Sequence, residues 1–250
     1  GQDNWIYVAG ANRGASVTGP ELKGKVNLGR NDFRFKADGS AIEPVTGTNH
    51  TFGLSLTDSG DRFLISTGSH ALYAIPLPYR YLVRNPHVPT PGAVANAGQD
   101  PRVYPISQPH PWRVARSKDP RWVKFYGRME ATANGYLTSA CGQLVYRARL
   151  LGEKYRGNHF ACDPQQNMVR RSKLRRDGAG YRASRPEDER SSEFLSSTDQ
   201  WFRPNGIRTG PDGALYVVDF YREIIEDYSA IPRYLQQQYG LVKGDDRGRI

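Results

Sequence analysis

The stretch Trp201-Phe-Arg-Pro-Asn-Gly-Ile-Arg-Thr-Gly-Pro-Asp-Gly-Ala-Leu-Tyr-Val-Val-Asp-Phe-Tyr221 decides the fold. It reads as strand, tight turn, strand. Pro211-Asp212-Gly213 is a turn signal, because glycine takes the positive φ that a short hairpin needs. Ala214 to Val218 is a short apolar, β-favouring run that ends at Asp219. The approach to the first strand, with Arg203 and Asn205, should therefore lie beside the exit of the second, with Asp219. The Asp-Gly turn lies at the opposite end.

The same pattern recurs. Displaced by 153 residues, Phe52 to Ser66 falls on Asn205 to Asp219 without a gap, and Gly53 meets Gly206, Gly60 meets Gly213 and Phe63 meets Tyr216. His50 falls on Arg203 and Ser66 on Asp219. Displaced by 209 residues, Asp3-Asn4 falls on the turn and Trp5 to Val8 on the second strand. A looser copy runs from Tyr136 to Tyr146 and continues in Gly157 to Pro164. Antiparallel hairpins repeated roughly every 55 residues predict an all-β chain built as a β-propeller. A β-sandwich with chance self-similarity is the alternative.

Length and composition agree with one all-β domain over 1–250, rich in turns: 26 Gly and 17 Pro in 250 residues. Two outer-strand pairs are expected, one around Phe33-Arg-Phe35 and one joining Met168–Ser172 to Tyr181–Ser184. Residues 11–25 read as a Gly-rich loop, and 76–120 as a long, Pro-rich inter-blade insertion. A short helix is expected over 231–239, stopped by Gly240. No apolar run approaches the roughly 20 residues of a membrane helix, so no span is expected. No signal peptide is visible, and both ends read as cut from a longer protein.

The net charge of +10 raises the question of nucleic acid. The one dense cluster, Arg170-Arg-Ser-Lys-Leu-Arg-Arg176, lacks interleaved aromatic residues for base stacking. It falls on predicted outer strands and reads as a solvated face, so no nucleic-acid partner is expected. The two cysteines are Cys141, near the entry of a first strand, and Cys162, near the exit of its partner. Antiparallel pairing sets those points side by side, which makes a disulfide geometrically reasonable and an exported or periplasmic location with it. Two buried free thiols in a cytosolic protein are the other reading.

Four stretches resemble the bacterial membrane-bound dehydrogenase family of propellers: Gly29-Arg-Asn-Asp-Phe-Arg-Phe35, Thr138-Ser-Ala-Cys-Gly142, Tyr155-Arg-Gly-Asn-His-Phe-Ala-Cys-Asp-Pro164 and Trp201 to Tyr221. Asp246-Arg-Gly-Arg-Ile250 looks like it too. The resemblance covers nearly the whole chain, with the motifs in order. It implies a six-bladed propeller, with about four blades in this chain. That family is a distant relative of soluble glucose and sorbosone dehydrogenases, which use pyrroloquinoline quinone with calcium. The implied activity is a periplasmic oxidoreductase acting on a sugar or alcohol, with a cytochrome c module as electron partner. Fold alone does not establish that activity. A non-catalytic propeller binding carbohydrate or protein, or a subunit of a larger assembly with an acidic protein partner, is the alternative.

The repeats also place chemistry. Strand entries and exits opposite the turns should gather at one mouth, bringing together His50, Ser66, Asp163, Arg203, Asn205 and Asp219, with Asn12 and Arg222 beside them. His50 is the candidate base, because imidazole titrates near neutral pH. Arg203, Asn205 and Arg222 are the candidate cofactor-binding residues, an arginine fork suiting a carboxylate. Asp163 and Asp219 are candidate calcium ligands, as oxygen donors. For each there is a structural alternative: a hydrogen-bonded loop histidine, a salt bridge from Arg203 to Asp219, and aspartates that cap backbone.

Overall fold

In the computed structural model, described over residues 1–10, 14–47, 51–87, 93–129, 131–225 and 231–250, the chain is mostly β. The strands are β1 (Ile6–Val8), β2 (Ala15–Val17), β3 (Val26–Gly29), β4 (Asp32–Phe35), β5 (Ile42–Val45), β6 (Leu54–Leu56), β7 (Arg62–Ser66), β8 (Ser69–Ala74), β9 (Val94–Asn96), β10 (Cys141–Val145), β11 (His159–Asp163), β12 (Met168–Asp177), β13 (Gly180–Ser184), β14 (Leu195–Ser196), β15 (Pro204–Thr209) and β16 (Leu215–Asp219). Four short helices join them: α1 (Tyr79–Leu82), α2 (Pro111–Ser117), α3 (Pro120–Tyr126) and α4 (Arg233–Gln238). No helix among the described residues is long and apolar enough to cross a membrane.

The strands form antiparallel sheets in the orders β1-β4-β5, β2-β3, β6-β7-β8-β9, β10-β11-β12-β13 and β15-β16, with β14 added beside β12. The self-matching hairpins are structurally equivalent. Leu56 pairs with Arg62 and Thr209 with Leu215 at corresponding steps. Asn4, Gly60 and Gly213 hold φ of 60°, 81° and 82°, the left-handed conformation that glycine and asparagine adopt at least cost.

Of the first strands of three hairpins, β6, β10 and β15, β10 lies against both of the others. The Gly142 N–H donates to the Phe52 carbonyl at 3.2 Å, and Val145 N–H to Ser55 Oγ at 2.8 Å. Gly142 has φ 53°, and a Cβ there would sit 2.2 Å from the Asn205 carbonyl oxygen. This close approach of β10 to β15 therefore requires glycine. Two of the second strands are covered on both faces: β7 is buried from Arg62 to Ile65, and β11 throughout. Burial on both faces accounts for their continuous apolar runs, Phe63-Leu-Ile65 and Phe160-Ala-Cys162. The core consists of Ile65, Val103, Leu137, Ala161 and Met168 on one side and Tyr146, Phe160, Val169 and Ile207 on the other.

Three parts of the chain depart from the sequence expectation. The 76–120 segment is not one loop: β9 joins β8 as a fourth strand, and α1 and α2 flank it. Three residues between prolines carry too little periodicity to be read as a strand. Likewise β2 lies inside the Gly-rich stretch. The Arg170–Arg176 cluster is not a solvated face at its start, for Arg170 and Arg171 are only 1% and 0% exposed. Arg171 forks onto Asp188 at 2.8 and 2.9 Å and onto Glu189 at 2.8 Å, and stacks over Tyr155 at 4.7 Å. Arg170 donates to the Arg102 carbonyl at 2.8 Å. Arg175 and Arg176, further along β12, are exposed.

Candidate functional site

Strand ends converge where the repeats place the mouth. Thr67 follows β7, Thr138 and Ser139 precede β10, Pro164 and Gln165 follow β11, Arg203 precedes β15, and Ile224 and Ile225 follow β16. All of them line one cleft of about 250 Å³. The remaining wall comes from the helical part of the long segment: His110, Trp112, Arg113 and Arg116, with Tyr126 of α3. The 76–120 segment thus supplies one wall of the site.

The strand-exit aspartates hold this end together. Asp163 is fully buried; its Oδ2 accepts from the Thr138 and Ser139 N–H groups at 3.1 and 3.4 Å, and its Oδ1 from Gln165 and Gln166 at 3.1 and 3.2 Å. Asp219 repeats the arrangement. Its Oδ1 accepts from Arg203 N–H at 2.8 Å and Tyr221 N–H at 3.0 Å, and its Oδ2 lies 3.0 Å from Arg249 Nε. Each carboxylate ties the entry of a first strand to the exit of its partner. Burial pushes the Asp163 carboxyl up to about 6, and the N–H donors of Thr138, Ser139 and Gln166 and the Arg113 charge act in the opposite direction. Committed in this way, the pair does not fit a calcium site. Among the described residues no group of three or more His, Cys, Asp or Glu is arranged to hold a metal ion.

Arg203 reaches the cleft, but its fork is occupied. Nε donates to the Arg222 carbonyl at 2.9 Å, Nη1 to the Pro164 carbonyl at 2.8 Å and Nη2 to the Glu223 carbonyl. It therefore contributes charge to the cleft while stapling the loop after β16 to the exit of β11. Burial lowers its pKa to about 10, so it stays protonated at neutral pH. Arg222 turns its guanidinium over Phe220 at 4.9 Å, and the Asn205 carbonyl faces Cys141 Sγ at 3.8 Å; neither residue lines the cleft. His50 and Asn12 lie outside the described residues.

Arg113 and Arg116 were not foreseen from the sequence. They are 8% and 7% exposed. Arg113 Nη2 donates to the Thr132 carbonyl at 3.3 Å, and Arg116 lies over the rings of Trp122 at 4.1 Å and Tyr126 at 4.7 Å. Their i, i+3 spacing beside Trp112 puts both on one helix face, which is the signal that could have found them. His110 caps α2, its Nδ1 accepting from Trp112 N–H at 3.2 Å, while its Nε2 faces Glu223 at 3.6 Å. Burial and the nearby Arg203 charge lower its pKa, so the ring is neutral at pH 7. Three arginines are among the described lining residues, and the buried Asp163 carboxylate acts on two of them, Arg113 and Arg203. A low-dielectric cleft of that kind attracts organic anions through charge and aromatic contact together.

Two other depressions are less suited to a ligand. One of about 320 Å³, lined by Tyr7, Glu43 and Tyr79, has its arginines engaged: Arg34 with Asp3 and Glu43, and Arg62 with the Thr46 carbonyl. The other, of about 490 Å³ between Leu54, Leu144 and Thr209, is shallow and open.

Cys141 and Cys162 are direct partners across β10 and β11, and both are free thiols in this structure. Cys162 Sγ faces the Gly142 carbonyl at 3.8 Å.

No curated protein and no solved structure matches the chain. The model of the family described as a domain of unknown function, DUF7133, matches residues 1–250, and the chain belongs to that family.

Proposed function

We propose that the chain is part of a β-propeller that binds a small organic anion in the cleft between its strand ends and α2. The observation that carries this reading is the convergence of three buried arginines, Arg113, Arg116 and Arg203, on one cleft beside Trp112 and Tyr126. The propeller assignment rests on the matching β6–β7 and β15–β16 hairpins and on the packing of β10 against the first strand of each. Trp112 and Tyr126 offer ring faces to an apolar body, while Thr67, Thr138 and Ser139 offer hydroxyl groups.

Polycarboxylates with a flat ring system form the ligand class these residues suit best. The quinone cofactor of the resembled dehydrogenases is one member of it. Oxidation of a sugar or alcohol would in addition need a base facing the ligand. His110 is poorly placed for that role, because one nitrogen accepts a backbone N–H and the other faces Glu223. The described residues therefore favour binding over catalysis.

Titration calorimetry with citrate, an aromatic tricarboxylate and a neutral sugar tests the reading. The carboxylates should bind, the aromatic one most tightly, with affinity falling as salt rises. Binding of the neutral sugar alone would overturn it. Dye reduction on adding pyrroloquinoline quinone, calcium and an alcohol would instead establish the oxidoreductase.

A further inference from the structure

We infer that Cys141 and Cys162 are a disulfide site, closed while the chain folds in an oxidising medium, that braces the wall of the cleft. The two residues are Cα partners in the β10–β11 register. Directly opposed antiparallel residues have Cα atoms roughly 4.5–5.5 Å apart, inside the range that a disulfide spans. The register breaks immediately after this pair, between Cys141 and Leu144, and Gly142 takes up the irregularity. The two sulfurs are therefore neighbours at the end of the ladder rather than locked in its middle. Each now faces a carbonyl, Asn205 for Cys141 and Gly142 for Cys162. These are weak contacts, given up at small cost.

The reaction is a thiol–disulfide exchange with a small disulfide such as oxidised glutathione. Two S–H bonds break and one protein S–S bond forms. The oxidant takes up two electrons and two protons and leaves as two thiols. Timing follows from the environment. Cys162 is completely buried, burial pushes the Cys141 thiol up to about 12, and the Asp163 carboxylate acts in the same direction. The thiolate, which is the attacking form, is scarce in the folded chain. Exchange is consequently slow once β10 and β11 are packed and fast before they are. The position links this bond to the cleft. Thr138 and Ser139 lie just before Cys141, and Pro164 and Gln165 just after Cys162, and all four line it. The inference is independent of what the cleft binds.

The test is to refold the chain in a mixture of reduced and oxidised glutathione, then denature it and alkylate with iodoacetamide. A monomer lighter by two hydrogens, taking up no alkyl group, with Cys141 and Cys162 joined in the peptide map, is the expected result. Its Tm should exceed that of the reduced chain by roughly 5–10 °C. The reduced, already folded chain should take up the bond at least about tenfold more slowly under the same buffer. Two alkylated thiols after oxidative refolding, or a dimer linked between chains, would overturn the inference. So would equally fast closure before and after folding. The Cys162→Ala variant should fold without the Tm increment and give one alkylated thiol.

Discussion

Two groups of buried arginines, one in β12 and one around the cleft, behave differently. Arg171 is buried because Asp188 and Glu189 come to it, with N–O distances of 2.8 Å to each. Arg113, Arg116 and Arg203 are nearly as buried, with carbonyls and aromatic rings among their contacts and the Asp163 carboxylate acting on Arg113 and Arg203, but they line a cleft. A buried cation neutralised by the chain itself is architecture. Buried cations that line a cleft lend it a positive potential for a ligand to meet. Burial alone does not separate the two groups; what separates them is that the second group opens onto a cleft.

The largest effect expected from this difference is on stability. Arg171→Met removes the partner of Glu189, a carboxylate already pushed up by burial and held down by Arg171. Equilibrium unfolding in urea should show a loss of about 3–5 kcal/mol. A loss under about 1 kcal/mol would erase the distinction between the groups. Arg116→Gln removes its contact with Trp122 and Tyr126 at the wall of the cleft and should cost less, about 1 kcal/mol.

Acid sharpens the comparison from the other side. His70 and His159 are buried beside the positive Arg170; burial first, and Arg170 second, lower their pKa values, that of His159 to about 3. Unfolding releases both to the ordinary histidine range near 6.5, so the unfolded chain binds two more protons below that pH. Asp163, raised to about 6, has the opposite sign. It is protonated when folded and ionised when unfolded between about pH 4 and 6. Net uptake of one proton on unfolding follows in that window. These three groups should lower stability by about 1.4 kcal/mol for each pH unit of acidification. Urea melts at pH 4, 5 and 6 measure the slope, and His70→Leu should reduce it.

Much of the scaffold was legible. The self-match found the hairpins, because a turn needing positive φ recurs at Asn4, Gly60 and Gly213 with the strands at fixed offsets. It also placed Arg203 at the cleft, and it put Asp163 and Asp219 at the strand exits. What those aspartates do was not legible, since their partners are backbone N–H groups with no side-chain signature. Arg171 looked solvated because its carboxylates stand 17 and 18 residues away, in a polar stretch with no period. The arginines of α2 were hidden for a related reason. The long segment contains no repeat, and its position over the strand ends is set by tertiary packing.

The central claim is that Arg113, Arg116 and Arg203 form an anion site, and one titration tests it most directly. An aromatic tricarboxylate is titrated by calorimetry into the chain and into the Arg113→Gln/Arg116→Gln variant. A Kd weaker by at least about tenfold in the variant, with its fold intact by circular dichroism, is the predicted result. Equal affinity in the two proteins, or no binding to either, would contradict the account.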